Sequence, residues 1–299
     1  MSQLIIEKNK HKSSHIINYS PYLYAGYYCN NNCIFCSEAD EYLKTLQNKS
    51  LEEINKELIF IRKHYDFVNV MGREPTTRPD FLEILKLAKK LKFHQVGFTT
   101  NGRLLSQSAF TKAVLRTGVN QIGISLSGAT AATHDFQVRV PGAFRQTLLG
   151  IKNILKYKKS GVSVLVNLPV NKLNYKDLGA SLKLLVDMGV KEINVLNIAP
   201  LSLRSFNKKI ILPMSKAGSY VFNTIKLGGY LDRSDLKILL VEFPPCSLPK
   251  EARQYFFPCL EKNSRKIRSS LCAKCPYKKD CDGVLDSYLQ LYSSKDFKL

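Results

Sequence analysis

A chain of 299 residues, 44% of them hydrophobic, is long enough to bury one sizeable core beside a smaller one, and no apolar run approaches bilayer-spanning length, which excludes a membrane partner of that kind. The amino terminus lacks the unbroken apolar core of a signal peptide, so a cytoplasmic location is expected. There, eight cysteines mean metal binding or redox chemistry more often than disulfides. The net charge of +21 favours anionic partners, but a solvated Lys-rich surface gives the same count.

In chain order, residues 1–18 read as an amino-terminal tail. From residue 19 to residue 235, apolar runs alternate with amphipathic helical stretches, which predicts parallel βα units. Six strands are expected, over residues 22–28, 67–71, 95–100, 121–126, 162–169 and 192–198. The helix predicted over 80–92 sets Leu85, Ala88 and Leu91 on one stripe, with Pro79 fitting its first turn. Phe144, Leu148, Ile151 and Leu155 form a second stripe at spacings of four and three. The apolar runs end at Gly72 to Glu74, Thr99 to Gly102, Ser125 to Gly128, Asn167 and Asn197, and in parallel sheets such ends converge on one active face. Taken singly, each is also an ordinary turn or strand end. The expected fold class is α/β, a partial (β/α)6 TIM-type barrel. After Asp232 the alternation stops, and five cysteines fall within residues 246–281. Residues 236–299 are therefore expected to form a small cysteine-rich extension organised by metal.

Cys29-Asn-Asn-Asn-Cys33-Ile-Phe-Cys36 places three thiols directly after the first expected strand. A structural zinc site closes with four protein ligands and would need another, such as His15 or His64. A cubane cluster held by three cysteines instead leaves one iron open for an outside ligand. This CxxxCxxC pattern, with the aromatic Phe35 before its last cysteine, resembles the radical S-adenosylmethionine (SAM) superfamily. Met71-Gly72-Arg73-Glu74-Pro75 is similar to that family's Gly-Gly-Glu-Pro segment, with Arg73 where a second glycine is usual. The resemblance implies a [4Fe-4S] cluster on Cys29, Cys33 and Cys36, and SAM contacts from Phe35, Gly72, Glu74 and Pro75. At the segment around Glu74, a backbone carbonyl and a carboxylate would accept from the ligand's ammonium group. It further implies SAM contacts from Thr100, Asn101, Ser125, Ser127, Asn167 and Asn197, and from Arg139 facing the methionine carboxylate.

Cys272-Ala-Lys-Cys275, followed by Cys281, resembles the auxiliary-cluster segment of the SPASM and twitch subfamilies. Leu285 stands where the longer SPASM pattern would have another cysteine, so the twitch type fits better. A second [4Fe-4S] cluster on Cys272, Cys275, Cys281 and upstream Cys246 is implied, with Cys259 a substitute; a zinc knuckle is the competing reading. The function implied is reductive cleavage of SAM to a 5'-deoxyadenosyl radical that abstracts hydrogen from a substrate, with an electron donor such as flavodoxin or ferredoxin. A peptide or protein substrate is expected. RNA and small anionic metabolites are the alternatives, and a zinc-stabilised nucleic-acid-binding protein is the reading of another class. The aligned polar strand ends separate the enzyme from the binding module, which has no need of them.

Overall fold

The computed structural model describes residues 21–38, 46–202, 204–256 and 265–297. The tail over 1–18 and Cys259 lie outside the described residues. The chain order is β1 (Tyr22–Tyr24), α1 (Leu51–Arg62), β2 (Phe67–Met71), α2 (Phe81–Lys90), β3 (Gln95–Thr100), α3 (Ser108–Arg116) and β4 (Gln121–Ser125). There follow α4 (Ala131–Val138), α5 (Ala143–Tyr157), β5 (Ser163–Val170), α6 (Leu178–Asp187), β6 (Glu192–Asn197), α7 (Met214–Leu227) and β7 (Lys237–Val241). The seven strands pair in sequence order, all parallel, and the sheet is open between β1 and β7, as a partial barrel is.

β7 was not among the six expected strands. Its run Lys237-Ile-Leu-Leu-Val is short and follows a polar stretch, but pairing with β6 from Glu192↔Lys237 to Leu196↔Val241 gives its backbone groups partners. The sheet thus extends past residue 235. Pro79 also differs from expectation: α2 starts at Phe81 behind Asp80, so the proline precedes the helix.

Strand alternation assigns the two faces. Val68, Val70, Val96, Phe98, Ile122, Ile124, Val166, Ile193 and Val195 point towards the helices and form the main core with Ile84, Leu85, Ile151 and Leu182. The opposite, concave face carries half-buried polar side chains that bond across strands. Asn69 Nδ2 donates to Thr99 Oγ1 (3.0 Å), Gln95 to Gln121 (2.5 Å), Ser163 Oγ to Glu192 (2.7 Å) and Asn194 Nδ2 to Asn167 Oδ1 (3.0 Å). A polar lumen needs such pairs, because a buried amide or hydroxyl without one is costly.

Beyond β7, β8 (Lys266–Ile267) and β9 (Val284–Leu285) form an antiparallel hairpin ahead of α8 (Asp286–Leu291). Val284, Leu285, Tyr288 and Phe297 form a second small core with Ile198, Ile211 and Met214 from the barrel. Tyr288 Oη accepts from Met214 N (2.7 Å) and donates to Asp296, whose carboxylate also accepts from Ser215 at the start of α7. An acidic side chain brought from the far end of the chain thus sits at a helix amino terminus, where it is favoured. Leu285, at the position of the missing SPASM cysteine, is fully packed in this core. No helix among the described residues is long and apolar enough to cross a membrane.

Candidate functional site

The cysteine loop leaves β1 and lies across the carboxyl ends of the strands. Gly72 makes the approach possible: its φ is +142°, and a Cβ there would stand 2.6 Å from the Gly26 carbonyl oxygen. The amides of Arg73 and Glu74 then donate to the Gly26 and Tyr28 carbonyls, each at 3.0 Å, just ahead of Cys29. On the other side, Asn32 N and Ile34 N donate to the Val138 and Gln137 carbonyls at the end of α4 (both 2.9 Å).

Glu74 is fully buried, and four donors meet its carboxylate: Thr76 N (3.2 Å), Thr76 Oγ1 (2.5 Å), Thr100 Oγ1 (2.6 Å) and Asn101 N (2.6 Å). Burial pushes its pKa up, and these hydrogen bonds oppose the rise. The same carboxylate, expected from the sequence to meet a ligand's ammonium group, ties β2 to β3. Thr100 is likewise engaged on Glu74. Asn101 reaches the loop itself, donating from Nδ2 to Asn30 Oδ1 (2.6 Å).

Burial pushes the thiols up, Cys29 to about 11 and Cys33 to about 12, with Cys36 also raised; Cys29 and Cys36 both add to the rise at Cys33, so the three are neighbours. Three adjacent half-buried thiols are poor thiolates alone and suitable ones around a polycationic centre. Among the described residues, no three His, Cys, Asp or Glu side chains form a single-ion cage, so the fit rests on donor chemistry. His64, the sequence candidate for a zinc ligand, lies in the turn before β2 at the amino end of the strands, away from the loop; His15 is outside the described residues. Three neighbouring thiols in this spacing suit the open-iron cluster.

The remaining predicted contacts separate into groups. Ser125 pairs in register with Asn167, and both lie on the concave face with Asn194 beside them. Asn197 is buried at the end of β6 with its Nδ2 unpartnered among the described residues, which fits a missing acceptor such as a cofactor atom. Ser127 is buried; its N–H donates to His134 Nδ1 (3.1 Å) and its carbonyl accepts from Gln137 and Asn174. Pro75 is buried in the turn after Glu74. Arg139 caps α4 in a left-handed conformation (φ 55°), exposed at a depression that it lines with Ile34 and Phe136; this brings it beside the cysteine loop. Phe35 packs against the second core, which residues of the barrel and of the carboxyl-terminal module share.

Sequence reasoning missed two arginines that clamp the loop. Arg103 donates to the Asn30 carbonyl and to Asn31 Oδ1 (3.0 Å), and Arg204 donates to Asn32 Oδ1 (2.7 Å) and the Cys33 carbonyl (3.0 Å). Ser202 Oγ adds a bond to the Cys36 carbonyl (2.6 Å). No local pattern marks these residues, since their partners are distant in sequence.

In the module, Cys246, Cys272, Cys275 and Cys281 line one pocket whose other walls include Pro245, Ile267, Leu271, Val284 and Leu289. Burial and the other three cysteines push Cys246 up to about 12. Four thiols around an apolar cavity suit a fully ligated second cluster.

The family model described as the Radical SAM superfamily matches residues 23–185, more than half of the chain. A probable GTP 3',8-cyclase from Saccharolobus islandicus is 30% identical over 181 residues, covering 58% of this chain and 55% of that protein. An AdoMet-dependent heme synthase from Methanosarcina barkeri is 30% identical over 175 residues, covering 58% and 48%. The chain spans about half the length of these curated relatives. Among solved structures, SuiB from Streptococcus suis bound to S-adenosylmethionine aligns with a TM-score of 0.63 at 16% identity, covering 92% of this chain and 75% of that one. Native anSMEcpe with bound AdoMet aligns with a TM-score of 0.64 at 15% identity, covering 93% and 92%. The cysteine loop, the open parallel sheet and the matched segment agree, and the chain belongs to the radical SAM superfamily.

Proposed function

We propose that this radical SAM enzyme acts on a peptide or protein, taking a hydrogen atom from a side chain presented over the concave face of the sheet. The observation that carries the reading is the uncharged amide and hydroxyl surface there, formed by Asn69, Thr99, Ser125, Asn167 and Asn194. A peptide backbone offers the N–H and C=O groups that such a surface can match. Among the described residues the one basic side chain in these rows is Lys237, in register with Glu192 at the amino edge, which suits a triphosphate poorly. Two fold neighbours, SuiB bound to precursor peptide SuiA and anSMEcpe bound to Cp18Cys peptide, support the same class. A small anionic metabolite is the second reading, favoured by the relative named as a GTP cyclase.

In this reading Cys29, Cys33 and Cys36 would hold the first [4Fe-4S] cluster, with SAM bound beside it. When bound, cluster and cofactor together supply the radical chemistry, using one electron from a reducing protein such as flavodoxin or ferredoxin. The chain orients and shields. Glu74 and Asn101 fix the loop against β2 and β3, Asn197 offers its free Nδ2 to the cofactor, and Arg139 stands at the loop edge for the carboxylate. Cys246, Cys272, Cys275 and Cys281 hold the second cluster, whose four thiolates leave electron transfer as its role.

The test is anaerobic turnover with dithionite and SAM, offering a side-chain-deuterated peptide library or deuterated GTP. Deuterium from a peptide in the released 5'-deoxyadenosine is expected. Label arriving from GTP alone would replace the peptide reading with the metabolite one.

A further inference from the structure

Arg73 is the one departure from the family's Gly-Gly-Glu-Pro segment, and among the described residues no hydrogen bond or ion pair engages its side chain. Its backbone does what a glycine would do there, donating to the Gly26 carbonyl at 3.0 Å. Its guanidinium differs from the two that clamp the cysteine loop. Arg103 and Arg204 are engaged on loop carbonyls and amide oxygens. The Nε of Arg73 is buried and has no hydrogen-bond partner among the described residues. The backbone segment of Arg73 is laid against the cysteine loop, with Arg73 N on the Gly26 carbonyl and Glu74 N on the Tyr28 carbonyl just ahead of Cys29. A buried donor without an acceptor is costly. An anionic, sulfur-rich group on Cys29, Cys33 and Cys36 would supply the acceptor that this donor lacks.

We propose that Arg73 is a positioning residue for that cluster, donating towards it and stabilising its reduced form. The inference rests on reading the three cysteines as cluster ligands. Reduction brings in one electron and no proton, so negative charge grows beside a fixed cation, and charge and hydrogen bonds to sulfur are what set such potentials. A glycine in its place leaves the cluster harder to reduce.

The test is an anaerobic potentiometric titration, read by electron paramagnetic resonance, of the reconstituted full chain and of Arg73→Gln, Arg73→Gly and Arg73→Lys. The cluster in question is identified as the one whose signal changes on adding SAM. Arg73→Gln and Arg73→Gly are expected to lower the midpoint by about 59 mV, a tenfold change in the reduced-to-oxidised ratio, and Arg73→Lys to recover part of it. Should Arg73→Gly fail to hold iron, the Gln and Lys variants carry the comparison. Equal midpoints for the wild-type chain and Arg73→Gln overturn the proposal, and so does Arg73→Lys falling as far as Arg73→Gln. A wild-type chain with no SAM-responsive signal instead overturns the cluster reading itself.

Discussion

Cys29, Cys33 and Cys36 hang from the carboxyl edge of a seven-stranded sheet, whereas Cys272, Cys275 and Cys281 lie on short turns closed by a hairpin of two residues per strand. The first group inherits its position from a large core and from clamps by Asn101, Arg103, Arg204 and Ser202. The second has the small core around Tyr288 and Phe297 and few regular backbone hydrogen bonds. Sites of the first kind keep their geometry without metal, and those of the second draw much of their folding free energy from it.

The largest effect expected from this contrast is at the first site: Cys33→Ala should abolish 5'-deoxyadenosine release while leaving the far-ultraviolet circular dichroism of the sheet and helices unchanged. Loss of that spectrum would mean that the barrel, too, depends on its cluster. Next, removing iron with a chelator should open residues 265–297 to proteolysis and leave the barrel protected. Cleavage of both regions at equal rates would break the comparison.

Within the barrel, Glu74→Ala leaves Thr76, Thr100 and Asn101 without their buried acceptor and should cost about 3 kcal/mol or more, measured by denaturant unfolding of the apoprotein. Gly150→Ala tests how tightly α5 packs behind the site: a Cβ there would lie 2.3 Å from the Gly102 carbonyl oxygen, and overpacking of this kind costs about 1–3 kcal/mol. A neutral result would mean that the strand end carrying Asn101 can shift.

The smallest effect is with pH. Burial holds His134 down to about 4, against an ordinary value of 6.5, and its Nδ1 accepts from Ser127 N, so the ring is neutral in the folded chain. A depressed histidine contributes stability that is fully present above about pH 6.5 and is lost as pH falls towards 4, with about 1 kcal/mol gone by pH 5.5. His134→Gln should flatten that part of the pH profile of unfolding. An unchanged slope would assign it to other groups.

Much of this was legible in the sequence. The expected strands over 67–71 and 95–100 coincide with β2 and β3, because alternation and length are local signals. The thiol spacings marked both cysteine groups before any fold was known. β7 escaped notice because five residues show a strand pattern only weakly, and a partner edge on β6 decides the matter.

What the sequence determined by itself is periodicity and spacing: parallel βα units, three thiols after the first strand, and a cysteine-rich end. Tertiary structure alone decided that Glu74 binds strand ends, that Arg139 lies at the loop's outer edge, and that Phe35 joins the second core. It also decided which cations hold the loop. Arg204 meets Cys33 across 171 residues and Arg103 meets Asn30 across 73, and contacts of that range follow from packing and leave no local pattern to read.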